Sequence, residues 1–249
     1  MTASLLKNEY FTPEQLRECQ LTRVPEHIAM ILDGNRRWAR KRETPQVTEG
    51  HRVGADILIE VLKAGKELGI KIMTLYVFST ENWNRERGEL IGLMWLFETY
   101  IRKQIPEMLK NRIRFKTIGD IDKFPEHVKA AIYDAKQATV QCQEMEVVLA
   151  MNYGARDEIK RAVRRIVRDQ LSEDEITEEC IASYLDTAEY PDPELLIRTG
   201  GEERMSNFLL WQLSYAELYT TNKLWPDFTS EDLLEAVREY QKRERRLGL

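Results

Sequence analysis

Three short stretches of this chain gather residue types that bind phosphate. Asp33-Gly34-Asn35-Arg36-Arg37-Trp38 combines a flexible turn, the free N–H groups of a helix start and two guanidiniums, and both kinds of N–H donate to phosphate oxygens. Bare phosphate would repel Asp33, so its presence makes chemical sense if Mg2+ bridges it to a diphosphate; Mg2+ commonly takes one or two carboxylates together with phosphate oxygens. On spacing alone a second account stands equally: Asp33 caps the next helix and the arginines are solvated. The second stretch, Ser79-Thr80-Glu81-Asn82-Trp83-Asn84-Arg85, reads either as a capped helix start with Trp83 in the packing or as a polar rim with Arg85 on a phosphate. In the third, Arg198 to Ser206 by way of Gly200 and Gly201, the glycines let backbone approach a ligand while Arg198, Arg204 and Ser206 donate to it. No Walker-type Gly-Lys-Ser/Thr loop and no Gly-x-Gly-x-x-Gly turn is present, which weakens a nucleotide-binding reading.

The elements that must position these stretches alternate. Residues 27–32 (HIAMIL) form a short apolar run that stops at Asp-Gly-Asn, as a buried strand feeding a loop does. Ile57, Leu58, Val61, Leu62, Gly65 and Leu68 then fall at helical spacing, closed by Gly69. A second strand is expected over 72–78, followed by a long helix on the stripe Leu90, Leu93, Met94, Phe97, Ile101, Ile105 and Met108. A third strand spans 113–118, Pro125 opens a helix to about Ala138, and a fourth strand spans 147–152. Ile159, Ala162, Val163, Ile166 and Val167 mark a further helix, and the Ser172/Glu175 pair has the capping-box pattern of one more. Short strands over 195–197 and 216–220 and a closing helix over 229–243 complete the series. The pattern predicts one α/β domain over 25–249, an open and mostly parallel sheet of about six strands flanked by helices, preceded by a tail or short helix over 1–24. Ligands of such sheets bind beyond the carboxyl ends of the strands, which is where all three polar stretches fall, together with Asn152-Tyr153-Gly154.

Composition sets the background. The chain has 249 residues, 43% apolar and 32% charged, enough for a substantial core under a soluble coat. With 37 Lys and Arg against 42 Asp and Glu the net charge is −5, so the global field gives no reason to expect nucleic acid, and any anion site must be local. The longest apolar run, 90–97, falls well short of the roughly 20 residues of a membrane-spanning helix. Cys19, Cys142 and Cys180 are odd in number and lack metal-ligand spacing, which suits a reducing cytoplasm.

The segments HIAMILDGNRRWAR, GHRVGA, LYVFSTENWNR, RTGGEERMSNFLLWQLSYAELY and LWPDF, in that order across 25–228, resemble the cis-prenyltransferases of the undecaprenyl diphosphate synthase family. The resemblance implies an α/β enzyme that uses Mg2+ to transfer the prenyl group of an allylic diphosphate, expected to be farnesyl diphosphate, onto isopentenyl diphosphate. Repeated Z additions would build undecaprenyl diphosphate for a cell-wall lipid carrier. It implies Asp33 as metal ligand and aid to the leaving group, and Gly34, Asn35, Arg36, Arg37, Trp38 and His51 around the allylic diphosphate. Asn82 becomes a positioning group or proton relay, with Ser79, Thr80, Glu81, Trp83 and Arg85 as substrate contacts. Arg198, Arg204, Met205 and Ser206 would hold isopentenyl diphosphate, and Glu217 would be the second metal carboxylate, from this chain or a dimer partner. Arg246 and Gly248 match a terminal Arg-x-Gly motif that reaches a partner's site. Many members of that family carry Arg four residues before the motif His, where this chain has Val47, so an anchor is missing or Arg40 or Arg42 replaces it. An apolar slot for the lipid is expected along Leu93, Met94, Trp95 and Phe97 beside Val77 and Val148. A homodimer is expected, in the cytoplasm, touching the membrane surface transiently to release product. Alternatives are a shorter or dolichol-length product and a noncatalytic subunit of a prenyltransferase complex.

Overall fold

Every run read above as a strand becomes a strand of one sheet: β1 (His27–Ile31), β2 (Ile72–Ser79), β3 (Ile113–Ile118), β4 (Met145–Tyr153), β5 (Leu195–Arg198) and β6 (Glu217–Thr220). In the computed structural model, which describes residues 9–44 and 46–243, the order across the sheet is β3-β4-β2-β1-β5-β6. Every neighbouring pair is parallel. All carboxyl ends therefore share one edge, and β1 sits between β2 and β5. This places the ends of the strands that carry the three polar stretches side by side.

Strand side chains alternate between two faces. Ile28 and Met30 point into the larger core, shared with α1 (Pro13–Gln20), α3 (Thr48–Leu68), α4 (Arg87–Lys110), α5 (Glu126–Ala138) and α8 (Ser230–Gln241). Ala29 and Ile31 point the other way, against Phe208, Leu209 and Leu213 and the start of α6 (Ala155–Arg168). A short α2 (Asn35–Lys41) follows β1 directly, and α7 (Glu178–Ser183) lies between α6 and β5. Helix α3 ends on Gly69 at φ 98°, the left-handed cap its sequence announces. Thr229 caps α8 in a capping box with Asp232. Helix α1 is fastened to α3, where Glu67 accepts from the N–H groups of Glu9, Tyr10 and Phe11.

One element differs from expectation. The Ser172/Glu175 capping box forms, but it encloses only the single turn Glu173–Glu175. Ile176 leaves the helical region at ψ 81°, and Thr177 supplies the cap of α7 by accepting from the Cys180 N–H.

Candidate active site

Asp33 follows β1, and its carboxylate is 30% exposed. Oδ2 accepts from Arg198 Nη2 at 3.0 Å and Oδ1 lies 3.2 Å from Arg37 Nη2. The capping account fails, because Gly34 is the N-cap of α2, at φ 112°, and no side chain caps that helix. Backbone holds the loop from behind: the Asp33 carbonyl accepts from Thr199 Oγ1 at 2.8 Å and from the Trp225 N–H at 2.9 Å. A Cβ on Gly34 would stand 2.9 Å from Leu224 Cα, so both the left-handed φ and the close approach require glycine.

Arg198 is 3% exposed. Besides Asp33 it donates to Ser206 Oγ at 2.7 Å and to the Arg204 carbonyl, so one buried guanidinium joins the first and third polar stretches. Its Nε is buried without a protein partner, as is Asn35 Oδ1. Arg37 also donates to the Gly200 carbonyl at 2.6 Å. His51 lies in the first turn of α3, where Nε2 faces Arg85 Nη1 at 3.4 Å. Burial first, then the Arg85 and Arg36 charges, push its pKa down to about 4, so it is neutral near pH 7 and keeps one N–H to donate. Arg85 is held by Glu89 at 2.7 Å. Asn82 accepts from the Ser79 N–H at 3.0 Å, and register shifts in β2 between Tyr76 and Ser79 bend this strand end at the mouth of the cavity.

A cavity of about 510 Å³ opens beside these groups; Arg198, Arg204 and Ser206 stand behind Asp33, outside its lining. Asp33, Gly34, Asn35, Arg36, Arg37, Arg40, His51, Ser79, Asn82 and Arg85 line its polar mouth. The rest is apolar and runs between the sheet and α3 and α4. Leu93, Phe97, Ile101, Gln104 and Met108 descend one stripe of α4, about 22 Å of helix at about 1.5 Å per residue. Val77, Phe115, Val147 and Leu149 face them from the sheet.

Several expected contacts lie elsewhere. Trp38 turns away from the cavity: its Nε1 donates to Asp227 at 2.8 Å and Arg42 stacks over its ring at 4.4 Å. Arg42 also binds Asp227, which leaves Arg40 as the nearby arginine that reaches the mouth where Val47 does not. Trp83 packs on Phe78 and Phe124 and donates to Asn152 at 2.8 Å, behind the rim. Thr80 and Glu81 sit outside the cavity lining, Glu81 against Asn207. Met205 packs half-buried against the smaller core, whereas Arg204 stays beside Arg198, to which its carbonyl is bonded, with its side chain 64% exposed and paired with Glu202. Met94 is buried but does not line the slot, Trp95 is 59% exposed, and Val148 belongs to the opposite face of the sheet. The lining residues are Val147 and Leu149, because strand neighbours alternate sides.

Glu217 is not brought to Asp33 within one chain. It opens β6 in register with Leu195, pairs with Arg243 at 2.7 Å, and so sits at the edge of the sheet opposite the shared carboxyl ends. Three residue steps carry the strand from it to Thr220, about 10 Å at about 3.3 Å per residue. Arg246 and Gly248 lie outside the described residues. Sequence reasoning did not single out Tyr76, Tyr100, Gln104, Thr199 or Asn207; continuing the α4 stripe from Phe97 in steps of three and four reaches Tyr100 and Gln104, whereas Thr199 and Asn207 act through contacts distant in sequence.

Comparison with known proteins matches this architecture. The family model described as putative undecaprenyl diphosphate synthase covers residues 31–248. Isoprenyl transferases of Chlamydia trachomatis and Clostridium perfringens are 47% and 45% identical, the alignments covering 90% and 91% of this chain and 92% and 90% of theirs. Lavandulyl diphosphate synthase from Lavandula x intermedia, solved in complex with dimethylallyl diphosphate, superposes with a TM-score of 0.87 at 37% identity, over 91% of this chain and 99% of that one. A probable undecaprenyl diphosphate synthase from Campylobacter jejuni gives 0.77 at 32% identity, over 91% and 100%. With a parallel sheet whose strand ends close one arginine-rich mouth over an apolar slot, and with these relatives along nearly its full length, the chain belongs to the undecaprenyl diphosphate synthase family of isoprenyl transferases.

Proposed function

We propose that the protein condenses isopentenyl diphosphate with an allylic diphosphate, farnesyl diphosphate as primer, and repeats the addition to a long Z-polyprenyl diphosphate of undecaprenyl type. The observation that carries this reading is the continuity of one cavity from the Asp33–Arg37 mouth to an apolar slot as deep as Met108 and Phe115. Such a cavity suits a substrate with an anionic head and a growing hydrocarbon tail, each buried CH2 contributing about 0.8 kcal/mol.

In each round the allylic C–O bond breaks and diphosphate leaves. The isopentenyl double bond forms the new C–C bond to the allylic carbon, and a proton is lost from the former isopentenyl unit. Gly34, Asn35, Arg36, Arg37 and His51 would hold the departing diphosphate, and Arg198, Arg204 and Ser206 the isopentenyl diphosphate. Asn82 orients the incoming unit; a neutral amide is a poor base, so its part in proton removal is relay to water or released diphosphate. Among the described residues Asp33 is the only carboxylate that lines the cavity, and no cluster of three or more His, Cys, Asp or Glu gathers to hold a metal. One hard carboxylate beside diphosphate oxygens fits Mg2+, which keeps waters and phosphate oxygens for its other positions. When bound it would supply charge neutralisation of the leaving diphosphate.

The reading extends to a homodimer, supported by the exposed Leu210, Tyr215 and Leu218 around the edge strand β6, in which Glu217 would serve a neighbouring copy. It also extends to a cytoplasmic protein that hands a cell-wall carrier lipid to the inner membrane face. Among the described residues no helix is long and apolar enough to cross a membrane. Incubating the purified protein with Mg2+, farnesyl diphosphate and labelled isopentenyl diphosphate, then sizing the products, should give a ladder ending near eleven units in total, the undecaprenyl length inferred by family resemblance; absence of any elongated product would refute the proposal.

A further inference from the structure

Arg204 and Ser206 lie on a segment whose next residues bear an unusual backbone. Ser206, Asn207 and Leu209 have φ values of 50°, 61° and 43°, a region that non-glycine residues occupy at a cost and only where the surroundings over-determine it. The contacts that do so converge on Asn207. Its carbonyl accepts from the Ala155 N–H at 2.8 Å, its Oδ1 from the Arg156 N–H at 3.0 Å, and its Nδ2 donates to Glu81 Oε1 at 3.1 Å. Three segments meet there: the start of α6, the anion-binding segment and the turn Thr80–Asn84. Gly154 lies in their midst, where a Cβ would stand 2.7 Å from both Asn207 Nδ2 and Thr80 Oγ1. Tyr76 braces the same junction, donating to the Ser206 carbonyl at 3.4 Å and stacking on Phe208 with centroids 4.4 Å apart.

We propose that Asn207 is a positioning residue: through its bond to Glu81 it ties the segment carrying Arg204 and Ser206 to the turn carrying Asn82, holding the two diphosphate-binding halves of the site in register. Arg198 joins the halves from the Asp33 side, and Asn207 closes the other side. Asparagine suits the position because it tolerates the left-handed backbone and offers an acceptor and a donor on one short side chain. Burial works to raise the Glu81 pKa, but the surrounding hydrogen bonds, the Asn207 amide among them, outweigh it and hold the carboxylate below its usual range, so the bond is charge-assisted. The inference rests on the two-diphosphate reading above.

Asn207→Asp keeps the acceptor for the Arg156 N–H but sets a carboxylate against Glu81. Combining it with Glu81→Gln restores a donor and an acceptor with the direction reversed. Amide hydrogen exchange at residues 204–208 without ligand reads the tie itself; calorimetric titration with isopentenyl diphosphate and Mg2+ and the KM for that substrate read its consequence. Asn207→Asp should speed exchange at 204–208 and weaken isopentenyl diphosphate binding about tenfold, the worth of roughly one charge-assisted hydrogen bond. The effect should fall on KM more than on kcat. The double variant should recover most of both losses, a coupling that independent residues would not show. Unchanged exchange and affinity in Asn207→Asp, or simply additive losses in the double variant, would overturn the proposal. A wild-type protein that bound no isopentenyl diphosphate would instead overturn the substrate reading, while exchange at 204–208 would still decide the tie.

Discussion

The slot makes a quantitative demand on product length. Val147 and Leu149 both face it, Val147 level with Met73 and Phe115, Leu149 two residues nearer the carboxyl edge and the mouth. Two residues of strand advance about 7 Å at about 3.3 Å each. An extended isoprene unit, four carbon–carbon bonds of about 1.5 Å, spans about 5 Å. A tryptophan at position 149 should therefore stop the chain about one unit earlier than one at position 147, and both should stop it earlier than wild type. Both positions line the slot but are also buried in the main core, at 1% and 8% exposure, so the urea midpoint of each variant is measured alongside its products. Val148→Trp is the control. Val148 is 0% exposed on the other face, in the core shared with Ala150 and Phe208, where overpacking costs about 1–3 kcal/mol. It should lower the urea midpoint and leave product length unchanged in the folded fraction. Thin-layer or mass-spectrometric sizing of products primed with farnesyl diphosphate decides the matter. Identical product distributions for Leu149→Trp and wild type, or shortening by Val148→Trp, would refute this account of the slot.

Two further outcomes follow from the buried charges. Asp33→Ala leaves the Arg198 guanidinium, 3% exposed, without its carboxylate partner though still bonded to Ser206 and the Arg204 carbonyl, so it should cost about 1–3 kcal/mol in urea unfolding. Asp33→Asn keeps an acceptor and should cost less, while turnover falls at least about a hundredfold in both, the size of effect expected when charge stabilisation of a leaving group is lost; an Asn variant with normal turnover would remove Asp33 from metal binding. His27, 1% exposed between the Pro191 carbonyl and Thr74 Oγ1, has its pKa lowered from 6.5 to about 4 by burial. The folded state resists a proton that the unfolded chain accepts, so its contribution is intact above pH 6.5 and is lost as pH falls towards 4, by roughly 3 kcal/mol in all. Urea melts between pH 7 and 5 should show a shallower loss for His27→Asn than for wild type, and parallel losses would count against the assignment.

What could be read from sequence follows from where each signal resides. Strand runs, the α3 stripe with its Gly69 cap and the long α4 stripe are local patterns, and all of them fold as read. The residue types of the mouth were legible too, because a strand that ends in Asp-Gly-Asn or Arg-Thr-Gly-Gly announces a loop rich in donors. Partnership was not. Asp33 and Arg198 are 165 residues apart and meet only because β1 lies between β2 and β5, an order no local pattern encodes. Several displaced residues differ from their lining neighbours only in direction. Val148 differs from Val147 only by the side of the pleat, and Trp95 from Phe97 only by the side of a helix. Glu217 differs from Thr220 only by which end of a parallel strand it occupies. In a parallel sheet a strand's first residue and a neighbour's last residue stand on opposite edges, so a carboxylate at a strand start cannot join one beyond a strand end in the same chain. The proposed metal role of Glu217 therefore calls for a neighbouring copy, which makes the assembly, rather than the fold, the unit to test for it.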